Sequence, residues 1–168
     1  MSYADIQAKI VARLQTIQGI AGGAGQVRTC YQRAITPEDF ESLFQVEVKN
    51  LETTKPINAW LVVYERATPS KPDSLQSLIV EHEFAIVGFQ SYNQNSDAAI
   101  RELANRILDS FSLYLTLGMY GANIDTIVED SSIAIENFSH YNLGPVLCSR
   151  ADLRITAVER RVPVTWEA

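Results

Sequence analysis

Two histidines, His82 and His140, two cysteines, Cys30 and Cys148, and a few acid pairs are the side chains from which this chain could build a reaction. Glu81-His82-Glu83 looks suited to a metal or to proton transfer. In a strand, however, successive side chains face opposite ways, so both acids point away from the imidazole. The triplet is read as the polar, solvated or subunit-facing end of a strand. Neither histidine has a Cys, Asp or Glu at a ligand-like spacing. The cysteines carry no local nucleophile signature, and the chain has no Gly-x-Ser-x-Gly elbow. Gly19, Gly22, Gly23 and Gly25 suggest a phosphate cradle. They follow a helix instead of a strand and lack the closing Lys-Ser/Thr, so they read as a helix stop. Glu129-Asp130 sits at an expected turn, where solvated charge is a simpler account than a glycosidase pair. No catalytic, cofactor-binding or metal-ligating residue is assigned, and the chain is expected not to be an enzyme.

Contacts are a different matter. Arg150, Asp152 and Arg154 alternate along one side of a strand, which suits a cross-strand or intersubunit ion-pair face, or an ordinary solvated one. A nucleic-acid patch would want interleaved aromatics, and there are none. Pro163 and Trp166 lie in a tail that no core pattern claims, so the indole either anchors a partner or packs on its own domain. A proline-bearing arm with Pro69, Lys71 and Pro72 is a contact element or a plain loop.

The elements that would position these groups follow from periodicity. Tyr3, Ile6, Ile10, Leu14 and Ile17 have the spacing of one helical face, predicting a helix to about Gln18. A short strand is expected over Val27–Gln32. Thr36-Pro37-Glu38-Asp39 is a hydroxyl cap, a first-turn proline and two acids, predicting a short helix to about Leu43. Whether Phe44–Val48 extends it or forms a strand stays open. Asn58–Arg66 and Leu78–Tyr92 read as strands, the first covered on both faces, with the arm, 67–77, between them. After a turn and cap at Asn93–Asp97, a helix to about Tyr114 carries Ile100, Leu103, Ala104, Ile107, Leu108 and Phe111 inward. Ile124–Glu129 and Ser132–Phe138 are expected as two strands joined at Asp130-Ser131. Leu143-Gly144-Pro145 precedes the closing strand, Val146–Arg160, whose Ala151, Leu153, Ile155 and Ala157 face a core. The result is an α+β fold: a single mostly antiparallel β-sheet with helices packed on one face, residues 1–160 as one domain and 161–168 as a C-terminal tail.

The totals agree. A chain of 168 residues, 46% hydrophobic and 20% charged, can close a sizeable core. Its net charge of −6 argues against gripping phosphate backbones. Two distant cysteines are read as free thiols in a reducing cell. No apolar stretch approaches the ~20 residues of a membrane span, and the N-terminus lacks a signal-peptide pattern, so no membrane association is expected.

From Leu78 onward the chain resembles the tail terminator proteins of long-tailed bacteriophages, also called minor tail protein U-like or tail completion proteins. The likeness is carried by Glu81-His82-Glu83-Phe84-Ala85-Ile86-Val87-Gly88, by Ala98-Ala99-Ile100-Arg101-Glu102-Leu103-Ala104, and by Val146-Leu147-Cys148-Ser149-Arg150-Ala151-Asp152-Leu153-Arg154-Ile155. These are structural patterns, and the arm and the tail have no equivalent in them. The resemblance implies a hexameric ring in the virion, assembled in the host cytoplasm. It would cap the tail tube, end its polymerisation, and dock the head-completion or neck protein, with DNA passing through the channel unbound. A neck or head-closure component, or another minor tail protein of similar fold, is the alternative. A small α+β enzyme is a remote third, needing a deep pocket that holds His82 or His140 with a carboxylate.

Overall fold

A computed structural model describes residues 3–46, 48, 56–69, 78–119 and 126–161. Helix α1 is Tyr3–Leu14, strand β1 Gln26–Cys30, helix α2 Pro37–Phe44, and strands β2 and β3 are Asn58–Pro69 and Leu78–Ser91. Helix α3 spans Ser96–Ser112, and strands β4 and β5 are Thr126–Leu143 and Val146–Arg161. They form one sheet in the order β1-β2-β3-β5-β4, with β1 parallel to β2 and every other pairing antiparallel. This is the expected α+β class.

Strand alternation divides the core in two. Trp60 and Val62 of β2, Phe84 and Ile86 of β3, and Ala151, Leu153, Ile155 and Ala157 of β5 face α1 and α3. Ile6, Ile10 and Leu14 meet them from α1, and Leu103, Ile107 and Phe111 from α3. The intervening residues, among them Leu61, Val63, Val87, Phe89 and Cys148, face the other way, onto Phe40 and Phe44 of α2. The two longer helices thus share one face as expected, while short α2 seats on the opposite one. The segment before α2 also lies on that second face: Ile35 is buried there, and the Tyr141 hydroxyl of β4 donates to its carbonyl at 3.0 Å.

Several element limits differ from expectation. The first helix stops at Leu14: Thr16 Oγ1 donates to Arg13 O at 2.7 Å, and Thr16 N and Ile17 N bond three residues back. Ile17 and Ile20 stay buried regardless. Helix α2 begins as expected, with Asp39 N donating to Thr36 Oγ1 at 3.1 Å, and ends where Gln45 turns left-handed at φ 54°. Phe44–Val48 is therefore no strand where it is described. The two strands expected over 124–138 are one, β4. Asp130-Ser131 forms no turn there; a register shift between Val128 and Asp130 absorbs the extra residue against continuous β5. Strand β2 runs on to Pro69, paired with Val80, so Ala67, Thr68 and Pro69 are not arm. Proline is tolerated there because β1 ends at the Cys30–Val63 pair and leaves that side of β2 without a ladder to donate to. The rest of the arm and the tail beyond Arg161 lie outside the described residues.

Candidate interaction surface

The second face divides lengthwise. Its half under α2 is apolar, and the half toward the β2–β3 hairpin is charged. At the boundary lies a chain of four side chains from four segments. Arg33, just after β1, grips Glu65 of β2 with Nε and Nη2, the latter at 2.7 Å, and reaches Glu136 of β4 with Nη1 at 2.6 Å. Glu136 in turn pairs with Arg154 of β5. Glu65 follows Leu61 and Val63 onto this face by alternation, and the bulge between Tyr64 and Arg66 brings Arg66 to the same side, where it pairs with Glu83 at 2.7 Å. The bond to Glu65 holds the Arg33 guanidinium above its ordinary range. Burial acts to raise the Glu136 carboxyl, but the bonds from Arg33 and Arg154 outweigh it and leave it below the usual carboxylate range. Beyond this chain Thr68, Glu81, Asp130 and Ser132 are exposed.

The anticipated contact residues fare unequally. Arg154 is half-exposed and belongs to this chain of charges. Arg150 and Asp152 lie deeper. Arg150 donates from Nε and Nη2 to Asp152 at 2.7–3.2 Å, and its guanidinium lies over the rings of Phe89 and Tyr141. With side chains only 15% and 8% exposed, these two satisfy each other inside the fold. The side of β5 expected to be wet is therefore dry over its first half. Pro69 is exposed at the end of β2. Lys71, Pro72, Pro163 and Trp166 lie outside the described residues.

The groups weighed for chemistry are now placed. His82 is not a solvated strand end: it is buried, with Nε2 2.7 Å from Glu159 Oε2, while exposed Glu81 and half-buried Glu83 face away as the alternation requires. Neither His82 nor Glu159 lines the clefts of about 650, 490, 350 and 340 Å³. His140 stands 3.2 Å from both Asp97 oxygens beside a shallow cleft of about 90 Å³. Asp97 also accepts from Ser149, a bond that lowers its carboxyl's pKa, with His140 contributing in the same direction. Here the carboxylate separates hydroxyl from imidazole, the reverse of the order in which a histidine takes a serine's proton. A cleft of about 650 Å³ beside Asn58, Ser91 and Asn95 is lined by no titratable side chain. Cys30 and Cys148 are unpaired, and burial pushes the Cys148 thiol up to about 12. No group of three His, Cys, Asp or Glu side chains among the described residues could hold a metal.

One further feature had no local signal. Tyr3 of α1 stacks on Tyr64 of β2, ring centroids 4.2 Å apart and planes 12° from parallel. With Gln7, Thr29, Cys30 and Tyr31 they line a cleft of about 340 Å³ at the end of β1. Gln7 fixes its floor by donating to Val62 O at 2.8 Å, and Tyr31 stands on the rim, 77% exposed.

The chain matches no protein-family model and no curated protein.

Proposed function

We propose that this protein is a structural assembly component of the phage tail terminator type. It closes into a ring, hexameric in the family it resembles, caps the tail tube, ends its polymerisation and offers a docking face to the neck or head-completion protein. The observation that carries the reading is the charged half-face around Arg154. It bears both signs, no described helix covers it, and it lies on a sheet whose other face is committed to α1 and α3. A face of paired charges suits contact with a different charged patch of the neighbouring copy, the heterologous contact a ring needs, because each partner can exchange ion pairs without burying an unmatched charge. The net charge of −6 suits a channel through which DNA passes without being held. No described helix is long and apolar enough to cross a membrane, and the place of action is the virion's tail or neck.

Purified protein added to growing tail tubes tests this directly. A ring-sized species by sedimentation, and tubes whose lengths stop increasing under the electron microscope, are expected. Protein that remains monomeric and leaves tube length unaltered would remove the reading.

A further inference from the structure

The two edges of the sheet differ in charge. No strand among the described residues lies beyond β1 or beyond β4. Strand β4 is 18 residues long and contains neither proline nor lysine, the residues that commonly blunt an edge. Its ladder to β5 shifts register after Val128 and again after Ile135, which leaves 130–135 as an unbroken run. Within that run Ile133 and Ile135 lie toward the first core and are only partly buried. Asp130, Ser132 and Ala134 lie toward the second face and are exposed. Acidic Asp130 and Glu136 are the described charges of this edge. At the other edge β1 has five residues, and its one charged side chain is Arg28, which is exposed. The guanidinium is held beside the strand, donating from Nη1 to Val27 O at 3.0 Å and from Nε to Leu43 O at 3.3 Å.

We infer that β1 of one copy pairs with the 130–135 run of β4 in the next copy. The inference rests on the self-association reading above. It names the patch that meets the charged half-face, which β4 borders through Glu136. Strand direction favours the joint. With β1 parallel to β2 and every later pairing antiparallel, β1 and β4 run in opposite directions. A copy carried round a ring axis that lies along the strands keeps its direction, so β4 meets the neighbour's β1 antiparallel, with the two faces still matched. Alternation then sets the register: Val27, of the first core, falls opposite Ile133, Arg28 opposite Ser132, and Gln26 opposite Ala134. Arg28 comes diagonal to Asp130, within reach of a long side chain. Pairing β4 with a second β4 would instead bring two acidic edges together. The contact joins different strands of one surface, the heterologous kind that closes a ring.

The test uses Gln26→Cys and Ala134→Cys in the full chain, singly and together, in a Cys30→Ser background. The buried thiol of Cys148 stays unreactive. Within one copy the two positions stand four strand spacings apart, roughly 19 Å, beyond the reach of a disulfide. Mild oxidation of the double variant is expected to give a ladder of linked dimers, trimers and larger species. A mixture of the single variants should stop at dimers, and neither single variant should cross-link alone. Arg28→Glu should weaken the cross-linking about tenfold, and adding Asp130→Arg should restore it. Ala134→Cys that dimerises by itself would overturn the inference, since like edges would then be pairing. So would the absence of a ladder under conditions where wild-type rings form, and in that case the ring reading stands without it. A ladder from a protein that never caps tubes would support the contact and remove the terminator function. Neither rings nor a ladder would remove both.

Discussion

His82 Nε2 and Glu159 Oε2 lie 2.7 Å apart, with both side chains at most 2% exposed. The same carboxylate oxygen accepts from Arg161 Nε at 3.0 Å, and His82 Nδ1 is 3.4 Å from the Tyr64 hydroxyl. A polar relay thus crosses β5, β3 and β2 at one end of the first core, and the stacking of Tyr64 on Tyr3 ties it to α1. Removing the imidazole leaves a buried carboxylate with half-exposed Arg161 as its remaining described partner. His82→Ala should cost about 3–5 kcal/mol in urea unfolding, the range for breaking a buried pair from one side. Replacing both residues by leucine should recover much of that loss. A single variant within about 0.5 kcal/mol of wild type would show that the pair carries no such weight.

Gly88 is the one residue type that β3 can hold beneath Trp60. A Cβ there would lie 2.4 Å from the indole Cζ3, and the ring cannot swing aside. It is fully buried, with Nε1 donating to Asn58 Oδ1 at 2.9 Å. Gly88→Ala should therefore destabilise by about 1–3 kcal/mol, the usual cost of overfilling a core, and quench or shift the Trp60 emission. An unchanged denaturation midpoint would show that the sheet yields more easily than this contact implies.

What could be read in advance was whatever repeats locally. The alternation of Ala151, Leu153, Ile155 and Ala157 predicts the face of β5 that is wholly buried, and the apolar stripe of α3 predicts its packing at Ile100, Leu103, Ala104, Ile107 and Phe111, while Leu108 at the edge of the stripe stays outside the core. Alternation cannot tell a wet face from a face covered by a distant segment, which is why Asp152 reads as solvated and is buried. Asp130-Ser131 has the composition of a turn, but a 16-residue partner strand holds both in its ladder, opposite Val158 and Ala157, and the extra residue bulges just before them. With β4 whole, Glu136 comes beside Arg154, a pairing hidden while the strand is split. Arg33 and the three cleft tyrosines come together only through tertiary packing, and no spacing in the chain announces them.

Glu136 makes a pH prediction. Its carboxyl is held below the ordinary carboxylate range by Arg33 and Arg154. A depressed folded pKa means that the stabilisation is complete above the unfolded value near 4.3. It is lost as pH falls through the lower, folded value. Glu136→Gln should thus lower stability by about 1 kcal/mol at pH 7. The gap to wild type should narrow below about pH 4. A gap that stays constant down to pH 3 would place the effect elsewhere than in ionisation.

Arg154 is the cleanest probe of the charged half-face, and Arg150 is a poor one. Reversing Arg150 would set a negative charge against buried Asp152 and break the fold before it tested any contact. Arg154→Glu also meets a like charge, Glu136, but Arg154 is 46% exposed, so water screens the repulsion and the fold should lose no more than about 1 kcal/mol. On an assembled ring the reversal would repeat at every joint, turning each attraction into a repulsion. Sedimentation should then show the ring-sized species lost while circular dichroism stays that of wild type, and Arg154→Lys should restore it in part. If Arg154→Glu sediments like wild type and still caps tubes, this half-face is not where copies meet, and the interface must lie on other surfaces.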